Sequence, residues 1–324
     1  MVGLRRALTV MTVAAVLGIS IGAVGQNYPV RPIQLIVPFS PGTAVDAVAR
    51  LLSVRLGELL KVPFVVDNRM GAAGQIGTQV VAKAAPDGYT LLFTSPAHYI
   101  NASLYRQLPY DPVKDFLPIM RVSNAQVVLV VGNSAPVDSI KQLVDYIRAR
   151  PGQVNFSSAG VGSTTHLPAA LFSSMTGLDI VHVPYKSGAQ AVTDVMNGEV
   201  FMTFTAVATA MPFVKAGMLK AIGVTGASRS ASLPDVPTIA EGGIAGYEFI
   251  SWNALYAPAG TPEPIIAKLE QALLEIVRSP EFAKQMLANG LELDPVPRQA
   301  LIERLKTEVP QWAKTVAISG AKPE

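Results

Sequence analysis

The feature that most constrains this chain is a regular alternation of strand-like and helix-like segments. Short apolar runs bounded by Gly, Pro, Asn or Asp are typical of strands, and apolar residues that recur every three or four positions are typical of amphipathic helices. The two patterns alternate at residues 34–39, 43–60, 64–67, 75–85 and 89–94. This βαβαβ order predicts parallel strands joined by right-handed crossovers.

A second round of the same alternation begins at residue 127. It predicts strands at 127–131, 154–157, 180–185, 200–204 and 219–225, and helices at 139–149, 164–175 and 189–197. A stretch rich in Pro, Gly and Ser, 228–246, then predicts a long loop. Two such rounds in a chain of 324 residues predict an α/β fold with two lobes.

The C-terminal part of the chain is mostly helical in pattern. A strand at 251–256 precedes helices predicted at 261–278, 279–290 and 299–316. These helices cannot form a sheet core alone, so we expect them to pack back onto the first lobe. The predicted division is a discontinuous first lobe, 26–122 and 240–324, and a second lobe, 123–239.

The N-terminus has the pattern of a secretory signal peptide. Arg5 and Arg6 precede an apolar run, 7–21, and Ala23 and Gly25 place small residues where a signal peptidase cleaves. Because the run is shorter than the ~20 residues of a spanning helix, we predict a signal peptide at 1–25 rather than a membrane anchor. The mature protein is then expected in the periplasm.

Composition narrows the possible partners and chemistry. Half of the residues are hydrophobic and 15% are charged, as in globular proteins. Without Arg5 and Arg6 the basic residues fall from 26 to 24, against 23 acidic ones, and no basic segment is interleaved with aromatic residues. Nucleic acid is therefore not an expected partner. The absence of cysteine excludes disulfides and thiol catalysis.

Two segments, 36–46 and 156–166, share the order strand, Gly-containing turn, helix. Glycine lets the backbone approach a ligand closely, and the helix that follows presents unpaired N–H groups with a partial positive charge. Neither turn contains Lys or Arg, so backbone N–H groups and hydroxyls would hold the ligand. The hydroxyls belong to Ser40, Thr43, Ser163 and Thr164. This arrangement suits a carboxylate bound in a cleft between two lobes better than a phosphate.

Other interpretations of these residues stay open. Thr43 and Ser163 are also suitable helix N-caps, and Asp46 has the spacing of a capping box with Thr43. His98, His166 and His182 lack metal-ligand spacing, although His166 can belong to a ligand shell. Ser163 and His166 allow a serine hydrolase, but adjacent residues of one helical turn rarely align as nucleophile and base. No nucleotide, zinc-protease or hydrolase-elbow motif is present, so no cofactor, metal or enzymatic activity is expected.

The motifs along the mature chain resemble the Bug family, the extracytoplasmic solute receptors of tripartite tricarboxylate transporters. They occur in order over nearly all of it: Tyr28-Pro-Val-Arg-Pro-Ile33, Ile36-Val-Pro-Phe-Ser-Pro-Gly42, Ala85-Pro-Asp-Gly-Tyr-Thr-Leu-Leu92, Leu108-Pro-Tyr-Asp-Pro112, His182-Val-Pro-Tyr-Lys186, Leu233-Pro-Asp-Val-Pro-Thr238 with Glu241-Gly242, and Ala257-Pro-Ala-Gly-Thr-Pro262. The resemblance implies a two-lobed type II periplasmic-binding-protein fold, the Venus-flytrap arrangement, which closes about a hinge on a small carboxylate.

The resemblance also implies which residues contact the ligand, because in that family a turn of each lobe holds the carboxylate. The first turn is Phe39, Ser40, Pro41, Gly42 and Thr43, with Asp46 behind it. The second turn is Ala159, Gly160, Val161, Gly162 and Ser163, with His166 behind it. Ser95 and Tyr185 are expected to flank the ligand.

This chain departs from the family pattern at several cleft positions. Thr43 replaces a usual Gly, Val161 replaces a usual Asn, and Thr205 stands where the family often has an acid. Because Thr205 provides no counter-charge for an ammonium group, we expect a di-, tri- or aromatic carboxylate rather than an amino acid. The expected partners are that ligand and the membrane permease subunits of the transporter, and the receptor is expected to be a monomer. A ligand sensor for a membrane histidine kinase stays open as an alternative.

Overall fold

The computed structural model describes residues 28–249, 251–319 and 321. The signal peptide predicted at 1–25 lies outside the described residues. The elements follow in the order β1 (Ile33–Val37), α1 (Ala44–Leu60), β2 (Phe64–Asn68), α2 (Gln75–Ala82), β3 (Thr90–Thr94), α3 (Ala97–Leu104), β4 (Phe116–Asn124), β5 (Val127–Gly132), α4 (Ile140–Arg148), β6 (Asn155–Ser158), α5 (Leu167–Thr176), β7 (Val181–Pro184), α6 (Gly188–Met196), β8 (Met202–Ala206), α7 (Val207–Lys215), β9 (Leu219–Val224), β10 (Trp252–Pro258), α8 (Glu263–Val277), α9 (Pro280–Ala288), β11 (Glu292–Pro297) and α10 (Arg298–Ser319).

One lobe is built on a six-stranded sheet with the order β11-β4-β10-β3-β1-β2. Strand β1 pairs in parallel with β2 and β3, which confirms the βαβαβ unit predicted at the start of the chain. Strands β4, β10 and β11 form the rest of the sheet in antiparallel pairs. The sheet is therefore mixed, and β10 from the C-terminal part lies between β3 and β4.

The other lobe is built on a five-stranded sheet with the order β7-β6-β8-β5-β9. Strand β6 pairs in parallel with β7 and β8, whereas β5 pairs antiparallel with β8 and β9. All five strands come from one continuous part of the chain, 127–224. Two mixed sheets with helices confirm the α/β fold class.

The chain passes between the sheets twice. The first passage is short, because β4 ends at Asn124 and β5 begins at Val127. The second follows β9, and its last part contacts the five-stranded lobe. There the Tyr247 hydroxyl donates to the Pro168 carbonyl at 2.7 Å, and Phe249 N donates to the Thr225 carbonyl at 2.9 Å. The boundaries drawn from the sequence at 122 and 239 stay predictions.

Helix α1 shows why the predicted helices form. The Thr43 hydroxyl accepts a hydrogen bond from Asp46 N, which caps the first turn. Val48, Leu52 and Leu56 recur at helical spacing and are almost fully buried against the six-stranded sheet. At its C-terminus, Lys61 adopts a left-handed conformation with φ 60° that ends the helix.

Helix α10 packs against both lobes, since it contacts α3 of one lobe and α5 of the other. Its Trp312 stacks on Tyr99 with ring centroids 6.2 Å apart. Its Glu308 accepts a hydrogen bond from the Trp252 indole N–H at 2.8 Å and forms an ion pair with the buried Arg121. Within the part of the chain that the structure describes, no helix is both long and apolar enough to cross a membrane.

Candidate ligand-binding site

A cavity of about 110 Å³ lies between the two lobes. The six-stranded lobe contributes Phe39, Thr43 and Asn253 to its wall, and the five-stranded lobe contributes Ala159 and Thr205. A second cavity of about 410 Å³ adjoins the first and shares lining residues with it, namely Phe39, Thr43, Ala73, Ala159 and Gly188. The strand–turn–helix segments of both lobes thus meet at one place.

The first turn is held from behind by Asp46. Its carboxylate accepts from Gly42 N at 3.0 Å, from the Arg50 guanidinium at 3.0 Å and from the Asn68 amide at 2.9 Å. Burial alone would raise the Asp46 pKa, but the hydrogen bonds from Arg50, Gly42 and Asn68 hold it below its usual value. Gly42 has φ +80°, a conformation that glycine adopts without strain. A charged, fully partnered carboxylate therefore fixes this turn.

The second turn is held mainly through its own backbone N–H groups. Ala159 N donates to the Thr165 hydroxyl at 2.8 Å, and Gly160 N donates to the Ser158 hydroxyl at 3.1 Å. Gly162 N donates to His166 Nδ1 at 3.3 Å. Three of the backbone N–H groups of this turn are therefore already used by side chains of the same lobe.

Two neutral histidines stand behind this second turn. The rings of His166 and His182 are 4.3 Å apart, and His182 Nε2 lies 2.6 Å from the Ser158 hydroxyl. Burial lowers the pKa of each histidine to about 4. The neutral His166 ring can therefore accept the Gly162 N–H through Nδ1. Among the described residues no third metal-ligating side chain joins the pair.

The Ser163 hydrolase hypothesis finds no support in this geometry. The Ser163 hydroxyl is hydrogen-bonded to the Thr165 hydroxyl at 2.9 Å and accepts from the backbone N of His166 at 3.1 Å. The His166 ring nitrogen Nδ1 faces Gly162 instead. Nucleophile and base therefore form no pair here.

Helices α1, α6 and α7 begin at the cavity. Ala44 and Val45 of α1, Gly188 and Ala189 of α6, and Thr209 of α7 line its wall. The first residues of α6 and α7 have no side-chain cap. The N–H groups of Ala44, Val45, Gly188, Ala189 and Thr209 have no hydrogen-bond partner among the described residues.

The cavity wall carries no charged side chain, but helix N-termini have a partial positive charge of about half an elementary charge each. Free N–H donors together with this partial charge make the cavity suitable for a small anion. Serine and threonine hydroxyls also line the wall: Ser95, Ser163, Thr164, Thr165, Thr205, Thr209, Ser251, and Thr43, whose hydroxyl already donates to the Ser40 carbonyl.

The structure distributes the predicted contact residues over three places. Seven line the cavity: Phe39, Gly42, Thr43, Ser95, Ala159, Ser163 and Thr205. Four line only the adjoining cavity: Ser40, Gly160, Val161 and Tyr185. The remaining four line neither: Pro41, Asp46, Gly162 and His166.

The four residues outside the cavities have distinct surroundings. Asp46 and His166 lie behind the two turns, where they bind the backbone N–H groups of Gly42 and Gly162. Pro41 is exposed on the first turn. Gly162 faces the other lobe, because a Cβ atom built on it would lie 1.9 Å from Leu104 Cδ1. Their roles as direct ligand contacts stay predictions.

Sequence reasoning missed several lining residues. The segment that leads from β7 into α6 repeats the order of strand, short turn and helix. This signal could have identified Gly188 and Ala189, the first two residues of α6. Asn253 gave a weaker signal, as an isolated amide within an otherwise apolar strand. Nothing in the sequence around Ser251 and Thr209 distinguishes them from serines and threonines on the protein surface.

The comparisons with known proteins point to one family. The family model described as "Tripartite tricarboxylate transporter family receptor" matches residues 48–319. Protein BugT of Bordetella pertussis is 36% identical over 317 residues, which cover 95% of this chain and 97% of that protein.

Two solved structures extend the similarity to three dimensions. R. palustris Rpa4515 with adipate is 35% identical and superimposes with a TM-score of 0.88 over 92% of this chain and 100% of that one. MatC (Rpa3494) from Rhodopseudomonas palustris with bound malate is 30% identical, with a TM-score of 0.82 over 89% of this chain and 100% of that one.

Proposed function

Because this chain belongs to the tripartite tricarboxylate transporter receptor family, we propose that it captures a small carboxylate in the cavity between its lobes. It delivers that ligand to the membrane permease subunits of a tripartite tricarboxylate transporter. In this proposal the protein binds its ligand without transforming it, which is supported by the separate partners of the Ser163 hydroxyl and the His166 ring.

One observation carries this proposal: helices α1, α6 and α7 begin at an uncharged cavity with unpartnered N–H groups. A carboxylate supplies the negative charge and the acceptor oxygens that such a site lacks. The adipate and malate bound in the two structural relatives support the same class of ligand. Contacts from both lobes would stabilise the closed arrangement, so ligand binding and hinge closure are coupled.

The signal-peptide pattern at 1–25 supports a periplasmic location, where such a receptor meets solutes before they reach the permease. We propose that the mature protein acts as a monomer there.

A thermal-shift screen of the mature protein tests the ligand class. Mono-, di-, tri- and aromatic carboxylates are compared with amino acids and neutral sugars. Ligand at ~1,000 times its dissociation constant adds ~4 kcal/mol of stability, so the midpoint should rise by several degrees with carboxylates alone. A rise with sugars and none with any carboxylate would overturn the proposal.

A pair of matched variants tests the place of binding. Gly42→Asp brings a second carboxylate to the first turn and should abolish carboxylate binding in titration calorimetry. Gly198→Asp is the control, because Gly198 has φ +79° against +80° for Gly42, and both have open space where a side chain would stand. Backbone strain is therefore equal in the two variants, and only Gly42→Asp should lose the ligand. Equal affinities in both variants would exclude this site.

A further inference from the structure

We propose that Ala73 limits the length of the ligand, because its methyl group narrows the opening between the cavity and the adjoining cavity. The methyl group is held there by a strained turn, residues 71–74, which we call the alanine turn. The inference rests on the proposed function and concerns the size of the bound carboxylate, not its chemical class. It implies a sharp upper limit on ligand length.

The alanine turn has a backbone conformation that its two alanines adopt only under strain. Gly74 N donates to the Gly71 carbonyl at 3.0 Å, and φ is +47° at Ala72 and +51° at Ala73. Positive φ at both central residues is the pattern of a type I′ turn, in which Asn and Gly are strongly preferred. In an alanine this conformation brings the methyl group close to the following carbonyl oxygen. Strain of this kind clusters at sites that clamp a ligand.

Buried hydrogen bonds hold the alanine turn in this conformation. The Asn101 side-chain amide donates to the Ala73 carbonyl at 3.1 Å, and the Thr78 hydroxyl donates to the Gly74 carbonyl at 2.9 Å. Both donors belong to residues that are almost fully buried. A Cβ atom built on Gly74 would lie 3.4 Å from the Phe39 ring, so the first turn packs against the alanine turn as well. The surrounding structure thus fixes Ala73 despite the strain.

Ala73 lies where the two cavities meet, and Ala72 does not. Ala73 is half-buried and lines both cavities, whereas Ala72 is exposed and lines only the adjoining cavity. On the side of the other lobe, Ala159 and Gly188 line both cavities. A ligand that extends from the cavity into the adjoining one therefore passes the Ala73 methyl group. Because the Ala73 carbonyl is held by a buried amide, the methyl group does not move aside for a longer chain.

Two series of probes test the length limit in the wild-type mature protein. They are straight-chain dicarboxylates from malonate to azelate and straight-chain monocarboxylates from acetate to nonanoate, in which successive members differ by one methylene group. Titration calorimetry gives the affinity of each member. In the series that binds, the acid one methylene longer than the best-fitting one should bind at least about tenfold more weakly. Equal affinities for all longer members would overturn the inference while leaving carboxylate capture intact.

Ala73→Gly and Ala72→Gly form a matched pair that assigns the limit to one methyl group. Each variant removes one methyl group at nearly the same φ, but only Ala73 lines the cavity. In Ala73→Gly, the acid that is one methylene too long should bind within about threefold of the best-fitting acid. Ala72→Gly should keep the wild-type ratio of the two affinities. This ratio is the readout, because a general loosening of the fold would change both affinities alike.

Thermal unfolding of the two variants checks that the alanine turn is strained. Relief of strain at positive φ outweighs the extra freedom that glycine gives the unfolded chain, so neither midpoint should fall below that of the wild type. A lower midpoint in either variant would contradict the strain and, with it, the reason given for the fixed position of Ala73. An unchanged affinity ratio in Ala73→Gly, or an equal change in both variants, would overturn the assignment. Failure of every carboxylate to bind the wild-type protein would instead refute the proposed function.

Discussion

The two turns that meet at the cavity have the same order of strand, glycine turn and helix, but different groups hold them. Asp46 fixes the first turn as a charged carboxylate with three donors. The neutral His166, through its ring nitrogen, fixes the second. Both groups accept a backbone N–H only while they are unprotonated, but they gain a proton at different pH. The two turns should therefore lose their hydrogen bonds at different pH.

The turns also differ in the space around their glycines. A Cβ atom on Gly42 would meet nothing within 4 Å, whereas one on Gly162 would meet Leu104 of the other lobe. The second turn is therefore packed against the other lobe at Gly162, whereas the first turn is open at Gly42. This asymmetry gives the following tests, from the largest expected effect to the smallest.

Gly162→Ala should be far more damaging than Gly42→Ala. Both substitutions place a side chain at positive φ, which costs about 1–2 kcal/mol. Only Gly162→Ala adds a clash in a packed region, for a total of about 3 kcal/mol or more. Urea unfolding of both variants measures the difference, and equal losses would contradict the asymmetry.

Shortening the opposing side chain identifies the cause. In the Gly162→Ala background, Leu104→Ala should recover part of the stability, because it removes the clashing Cδ1 atom. Leu104→Ala in the wild type should be destabilising, since Leu104 is buried. A purely additive loss in the double variant would mean that the contact between the lobes is not the reason.

Mild acid should loosen the second turn before the first. The pKa of His166 is about 4 in the fold and about 6.5 as its ordinary value. Between these values the unfolded chain binds more protons, so the free energy of unfolding falls as the pH drops from about 6.5 to about 4, on the order of 2 kcal/mol for this histidine. The lowered pKa of Asp46 places its own loss at lower pH, below its usual range.

His166→Gln isolates that contribution, because glutamine can accept the Gly162 N–H and does not titrate. His98 and His182 also have pKa values near 4 and are retained, so the difference between wild type and variant reports His166 together with its coupling to the neighbouring His182. Unfolding at pH 7 and 4.5 gives this difference. Identical pH dependence in the two proteins would show that His166 does not hold the turn in its neutral form.

Asp46→Asn should have the smallest effect, about 1–2 kcal/mol at pH 7. An amide oxygen still accepts Gly42 N, but Arg50 loses its charged partner and the new NH2 group faces the Asn68 amide N–H. Asp145→Asn is the control, since it removes an ion pair whose partners are both exposed and should change stability little. Thermal unfolding of the two variants measures the contrast. If the two variants lose equal stability, the hydrogen bonds of Asp46 contribute no more to folding than an exposed ion pair does.

The sequence allowed the parts of the molecule with strong local signals to be predicted. Helix α1 has both a Thr43 cap and a regular apolar face, and its predicted start differs from the observed one by a single residue. Both glycine turns were recognisable because the positive φ of Gly42 and Gly160 and the helix that follows require a particular residue order. Local chemistry was sufficient there.

Other parts depend on distant contacts and gave no clear pattern. Strands β4 and β11 contain prolines, and β4 also contains the buried Arg121, whose partners Asp294 and Glu308 lie far along the chain. Helices α3 and α7 begin without a side-chain cap. Asn253 likewise bonds to Ser123, which lies 130 residues away along the chain. Single-sequence periodicity does not contain such pairings.

The central place of β10 in the six-stranded sheet also sets an order of events during synthesis. The five-stranded lobe has all of its strands once residue 224 has emerged, whereas β3 and β4 have no strand between them until residue 258 follows. The lobe that begins first is thus completed last, through pairings of high sequence separation that form slowly. Such a delay keeps the nascent chain incompletely folded, which is the state that a polypeptide needs in order to be threaded through a narrow translocation channel.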